Sequence, residues 1–510
     1  MKPSSEPKET EASVPPDAPS DDRADRLEDI KNDAKDLRRG VAVNLIGYAI
    51  KVAYPILTGV LIYLYGKSDF GIFTAAQAAL LVTMRISLMG FDKGILWWVP
   101  RQSVASERLS LRPALFITGA TSTLAAVTIA FFLAPWLAKW RGEPLAEVGL
   151  RWMAAGLVPM TMMEMLINAC LGKRRMEAQV IVKEGIFSTT LVLSGIVFHF
   201  AGFHTNGLAM AYVTAAAVGL LSAIWLFRRV FRESTWERGP LSIPKQLRRY
   251  VLPMWMTEIT GSVLIRMDIL VLTALSDPGV VGVYGAVVQI GNAIRSIRQA
   301  FDPIVLSIMS QISSKLDKAR LVAAFSHATS LVIATQLPVY AFIVVFAPWI
   351  LPLLGEGYDQ ASTAVIILCG FWIINGMVGL NGLIVTGYGR SDLAFLNTLI
   401  TIGLQALFLR LFIPRFGLEG AAASVGVAYT LQNIIQAVQA RVISGIWAYN
   451  RNVARVIFAG ILAGCAMAAA WWGLSHVDER VARIGAFIVF LGVLGPLFFR
   501  LYRKNRRAAS

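Results

Sequence analysis

Cysteine and histidine are scarce in this chain: three cysteines and four histidines in 510 residues. Cys170, Cys369 and Cys465 lie in apolar stretches at unrelated spacings, which argues against a disulfide framework or a cysteine metal site. They read as packed thiols. The histidines are scattered, so no cofactor or metal is expected. No glycine-rich phosphate loop followed by Lys-Ser/Thr at the required spacing occurs, which excludes ATP hydrolysis by that device. Charge is also sparse, at 16% of residues against 56% apolar, and mean hydropathy is +0.59.

What fills the chain is apolar runs of about 20 residues, each long enough to cross roughly 30 Å of hydrocarbon. Helices are the expected way to satisfy the backbone there, giving an all-α integral membrane protein with about fourteen spans. The polar N-terminus leads us to expect no cleavable signal peptide, with the first span serving as the targeting signal. Residues 1–40 hold 11 Asp and Glu against 8 Lys and Arg, so this tail is −3 and the remainder carries +19, for a net +16. A sequence pI near 9.9 is a generic sign of nucleic-acid binding. Here the basic residues fall in alternate loops, the pattern of positive charge kept cytoplasmic, and no nucleic-acid partner is expected. By that rule both termini are cytoplasmic. Residues 1–20 read as disordered, and Leu27, Ile30, Ala34 and Leu37 mark an amphipathic helix over Ser20–Arg39, at the membrane surface or in a solvated linker.

The chain also carries an internal repeat. Arg85, seven residues before Asp92, is answered by Arg295, seven residues before Asp302. Leu37-Arg38-Arg39 is answered by Leu247-Arg248-Arg249, Gly71 and Phe73 by Gly282 and Tyr284, and Ala134-Pro135-Trp136 by Ala347-Pro348-Trp349. Matches in one order at a nearly fixed offset indicate duplication. Six spans per repeat give two lobes of like orientation, related by an axis along the membrane normal. The expected organisation is a cytoplasmic tail at 1–40, an N-lobe at 41–230, a linker at 231–249 and a C-lobe at 250–445. Two further spans over 452–503 and a basic tail at 504–510 complete it. An arginine inside a span is costly and marks a functional site by default. Its recurrence at equivalent points suggests a transporter with a cationic cavity on the axis.

Gly66-Lys67-Ser68-Asp69-Phe70-Gly71-Ile72-Phe73, Gly90-Phe91-Asp92, the Leu247–Pro253 stretch, Arg266-Met267-Asp268 and Val281-Gly282-Val283-Tyr284 resemble the polysaccharide-transporter flippases of the multidrug/oligosaccharidyl-lipid/polysaccharide exporter superfamily. That resemblance implies a V-shaped two-lobe fold that alternates its access. It also implies a bacterial inner-membrane protein that moves undecaprenyl-diphosphate-linked oligosaccharide to the periplasmic leaflet for O-antigen, capsule or exopolysaccharide. The lipid-linked oligosaccharide, membrane lipids, and a polymerase and co-polymerase of the same pathway are the partners it suggests. A lipid II flippase and a cation-coupled multidrug antiporter on the same fold are the alternatives, and an enzyme is not expected.

A diphosphate head needs fixed cations, and arginine donates two parallel hydrogen bonds to phosphate. The candidates are Lys51, Arg85, Arg266, Arg295 and Arg298, on spans that the resemblance makes cavity-lining. Coupling to H+ or Na+ would need a carboxylate in a low-dielectric cavity. Glu164, Glu184, Glu258 and Asp268 qualify, with Glu258 favoured. Asp92 and Asp302 read as helix-end charge partners for the arginines, Arg298–Asp302 as a possible intrahelical pair, and Lys183-Glu184 as an interface pair.

Overall fold

A computed structural model describes residues 20–102, 107–141, 144–204, 206–232, 243–302, 318–378, 380–388, 390–445, 451–474, 476 and 478–509. The side chains of some helical residues, Lys51 and Asn44 among them, lie outside that description. So do residues 1–19, expected to be disordered, and most of the expected 231–249 linker.

The described residues are helical throughout. In chain order the helices are α1 (Ser20–Leu88), α2 (Phe91–Trp98), α3 (Glu107–Thr128), α4 (Ala134–Arg141), α5 (Pro144–Ala155), α6 (Leu157–Gly172), α7 (Ser188–Phe200) and α8 (Gly207–Val230). They continue as α9 (Lys245–Leu275), α10 (Pro278–Gln299), α11 (Lys318–Ile350), α12 (Ala361–Val378), α13 (Asn381–Gly387), α14 (Ser391–Ser444), α15 (Arg451–Leu474) and α16 (Glu479–Ala509). A wider helical segment, Gln179–Phe187, leads directly into α7. The amphipathic stretch from Ser20 is helical and runs into the first span without a break.

Ten stretches among the described residues are long and apolar enough to cross a bilayer, which makes this a multi-pass membrane protein. The count is below the fourteen crossings expected. Asp392–Ser444 counts once, although it spans 53 residues and breaks at Gly417, where φ is 53°. Tyr54–Leu88 likewise contains the break at Gly66, where φ is 72°. Only glycine takes such backbone angles without strain, so both mark turns inside an apolar run. Helix α9 is absent from the ten because Glu258, Arg266 and Asp268 interrupt its apolar sequence.

Helices α1 to α8 pack mainly with one another, as do α9 to α14, while α15 and α16 form a hairpin against α11. The two groups meet along α1 and α10. There Gly71 and Gly282, equivalent positions of the repeat, touch backbone to backbone. A Cβ on Gly71 would lie 1.8 Å from the Pro278 carbonyl oxygen, and one on Gly282 would lie 1.9 Å from that of Lys67. Such reciprocity, each residue meeting its partner's equivalent surroundings, is the signature of a two-fold axis. About 20 Å further along α1 a second seam joins α2 to α9. Trp97 stacks on Tyr250 with ring centroids 4.6 Å apart, and the Trp255 indole donates to the Ile86 carbonyl at 3.1 Å.

Candidate substrate-binding cavity

Between these two seams lies a polar cavity with two adjoining chambers of about 410 and about 460 Å3. Gln77, Leu81, Lys183, Phe187, Ile265 and Arg266 line both. Arg85 and Glu258 line only the smaller chamber, and Arg295 only the larger. Elements α1, α9, α10 and the segment before α7 therefore supply the walls.

Arg85 is heavily engaged. Its guanidinium lies 2.7 Å from Asp92, 3.4 Å from Glu258 and 3.6 Å from Glu164. Lys183 meets Glu164 at 2.9 Å, and Lys93 approaches Glu258 at 3.9 Å. Three cations thus face three carboxylates, and the group is formally neutral. The Asp92 and Glu164 side chains are only 1% and 8% exposed, and a carboxylate so buried requires a paired cation. Arg85 is the balancing charge of this group. Lys183, read from sequence as paired with its neighbour Glu184, instead reaches across to Glu164 on α6, because successive helical residues do not face one another.

Arg266 and Arg295 are differently placed. Neither makes an ion pair among the described residues. The Arg295 guanidinium stands 4.9 Å from the Trp372 ring centroid and 5.6 Å from that of Tyr429, a cation–π seat built by α12 and α14. It fixes the arginine without neutralising it. Arg266, the cation common to both chambers with Lys183, has no comparable anchor.

The remaining described candidates sit outside the chambers. Arg298 lines neither, because Asp302 one helical turn on takes its guanidinium at 3.0 Å. Asp302 therefore pairs with Arg298, the intrahelical pair read from the sequence, and leaves Arg295 without a carboxylate among the described residues. Asp268, two residues after Arg266, points to the opposite side of α9. It is buried and accepts a hydrogen bond from the Tyr284 hydroxyl at 2.9 Å. The Lys51 side chain lies outside the described residues. Among the described residues no group of three His, Cys, Asp or Glu is arranged to hold a metal.

The family described as polysaccharide biosynthesis proteins matches residues 60–363, more than half of the chain and most of the cavity-lining residues. The chain belongs to that family. Among curated relatives, a probable low-salt glycan biosynthesis flippase, Agl15 of Haloferax volcanii, is 23% identical over 204 residues. That match takes in 39% of this chain and spans 43% of the relative, under half its length. Among solved structures, the lipid II flippase MurJ in an inward closed conformation superposes with a TM-score of 0.73 at 11% identity, covering 91% of this chain and 99% of that one. An inward-facing multidrug resistance transporter of the MATE family gives 0.61 at 15% identity, over 79% and 98%. A transporter of the same MOP superfamily from Pyrococcus furiosus, described as having a binding pocket of reverse polarity, gives 0.56 at 16%, over 81% and 96%. At these identities the likeness establishes the all-helical fold of that superfamily.

In this polysaccharide biosynthesis protein, sequence reasoning overlooked Lys183 as a cavity residue and Trp372 and Tyr429 as the seat of Arg295. Lys183 carries a readable signal, a lone lysine within a span. The two aromatics carry none, since core tryptophans and tyrosines look the same.

Proposed function

We propose that this protein is a flippase for a lipid-linked glycan with an anionic, diphosphate-type linkage, moved across the cytoplasmic membrane by alternating access. The observation that carries the reading is the contrast inside one cavity: Arg85 is neutralised by carboxylates, while Arg266 and Arg295 are not. An uncompensated cation in a low-dielectric interior is costly to keep, and an anionic ligand is what offsets that cost. Two guanidiniums from adjacent helices of one lobe suit a diphosphate better than an organic cation. A cation-binding drug site would need free carboxylates, whereas Glu258 on the smaller chamber's wall and nearby Glu164 are already occupied by Arg85, Lys183 and Lys93, and Glu184 on the larger chamber's wall has interactions of its own.

The surroundings suit a substrate with a polar head and an apolar tail. An apolar groove of about 400 Å3 lies between α1 and α10, and it shares Pro55 and Gln289 with the larger chamber. A head in the cavity could leave its isoprenoid in lipid through that groove. The rocking units in this reading are residues 41–230 and 250–445, with both termini cytoplasmic. The name of the archaeal relative, a glycan biosynthesis flippase, agrees over the segment it shares. The test is substitution of Arg266→Gln and Arg295→Gln, singly and together, in cells that depend on the protein for glycan export. Export should fall at least tenfold, with lipid-linked oligosaccharide accumulating and protein abundance unchanged. Normal export by the double variant would refute the assignment.

A further inference from the structure

We infer that a stripe of free side-chain amides on α10 selects the sugar joined to the diphosphate, through Gln289, Asn292 and Gln299, faced by Gln77 of α1. The inference rests on the preceding reading, in which Arg266 and Arg295 hold the anionic linkage.

All four amides line the larger chamber, and Gln77 lines both. Gln289, Asn292 and Gln299, with Ser296 between, are spaced three or four apart, which places them along one face of α10. Arg295 belongs to the same stretch and the same chamber wall. A sugar bonded to a phosphate held by Arg295 therefore lies against the stripe.

These amides differ from the paired ones elsewhere in the protein, and their place together on one chamber wall sets them apart from the buried, unpartnered Gln405. Gln77, Asn292 and Gln299 make no protein hydrogen bond among the described residues. Gln289 takes only a long contact, 3.5 Å, from the Thr58 hydroxyl, which also bonds to carbonyls of its own helix. The Ser296 hydroxyl is spent on the Asn292 carbonyl at 2.7 Å. Elsewhere in the membrane Asn397 and Gln439 bond reciprocally at 2.7 and 3.0 Å, and the Gln336 amide donates to the Ile294 carbonyl at 3.0 Å. Polar groups in spans ordinarily find such partners, because leaving them unmade is unfavourable.

An amide presents two N–H donors and a carbonyl acceptor side by side. That set matches sugar hydroxyls, which both donate and accept. It contributes no charge, so it adds little to phosphate binding. The stripe thus discriminates between glycans while the arginines bind what all of them share.

The experiment compares two probes on purified protein in nanodiscs. One is bare undecaprenyl diphosphate, and the other is the lipid-linked oligosaccharide extracted from cells lacking this protein. Wild type should bind the glycosylated lipid more tightly. The triple variant Gln289→Met, Asn292→Leu, Gln299→Met should bind bare lipid within about twofold of wild type, yet lose of the order of a hundredfold on the glycosylated one, about fivefold for each residue. Asn292→Leu alone, exposed to the chamber, provides the fivefold step if the triple variant does not fold. Equal losses on both probes, or no loss on the glycosylated lipid, would overturn the inference. So would wild type that binds both lipids equally, an outcome that leaves the diphosphate reading standing. Failure of wild type to bind bare lipid would instead overturn that earlier reading.

Discussion

Replacing Arg85 and replacing Arg266 should have opposite consequences for stability, although both are arginines on the same cavity. Arg85→Met removes one cation from a group of three against three. Lys183 still serves Glu164, and Lys93 still serves Glu258, but the Asp92 carboxylate, 1% exposed and 2.7 Å from the lost guanidinium, is stranded. Removing one partner of a buried pair costs roughly 3–5 kcal/mol, and the lower end applies because Arg85 is itself 19% exposed. About 3 kcal/mol should lower the melting temperature by roughly 5 °C in a chain of this size. Arg266→Met strands no carboxylate and should leave the melting temperature unchanged or slightly raised, while export is lost. The assay is a detergent-solubilised thermal melt followed by tryptophan fluorescence at one fixed scan rate, since membrane-protein unfolding is seldom reversible. Arg85→Met with Asp92→Asn should recover at least half of the lost stability, because the stranded charge is gone. The reasoning is refuted if Arg266→Met melts as low as Arg85→Met, or if the double variant melts below the single one.

Two further outcomes follow from contacts described above. Gly282→Val places a side chain against the Lys67 carbonyl and should hold α1 and α10 apart. A cysteine at position 292 should then label faster with a membrane-impermeant maleimide, and unchanged labelling would argue against a closed seam at the axis. Tyr284→Phe removes the donor to buried Asp268 and should cost about 1–3 kcal/mol, read as a fall of a few degrees in melting temperature. Adding Asp268→Asn should restore most of that loss, and failure to do so would mean the hydroxyl contributes by packing alone.

The helices and their duplication were legible in the chain because both are written locally. Apolar runs of span length need no partner to be recognised, and repeat matches such as Gly71 with Gly282 survive as ordered sequence identities. The two breaks at Gly66 and Gly417 were harder, since an apolar run reads the same whether it turns or continues. Candidate cations were legible as positions and illegible as roles. Arg85 acquires Glu164 from α6 and Glu258 from α9, and Arg295 acquires Trp372 and Tyr429 from α12 and α14. Those partners arrive through tertiary packing, which no spacing rule on one helix encodes. Where the partner lies one turn away, as for Arg298 and Asp302, the sequence reading identified it.

The cavity is asymmetric in chemistry, although the sequence repeat pairs residues of its two sides. At the axis, Gly71 and Gly282 meet as equivalents, and neither half can change without altering the other's contact. Away from the axis that constraint is absent. Arg85 and Arg295 occupy matching places in the sequence repeat, yet one is enclosed by three carboxylates and the other by two aromatic rings. A carboxylate neutralises a guanidinium, whereas an aromatic face orients it and leaves its positive charge available. The first arrangement ties α1, α2 and α6 to α9 at one end of the cavity, and the second leaves a charge facing the chamber. Neutralising Arg85 should therefore disturb how the two helix groups hold together, and neutralising Arg295 should leave that packing intact.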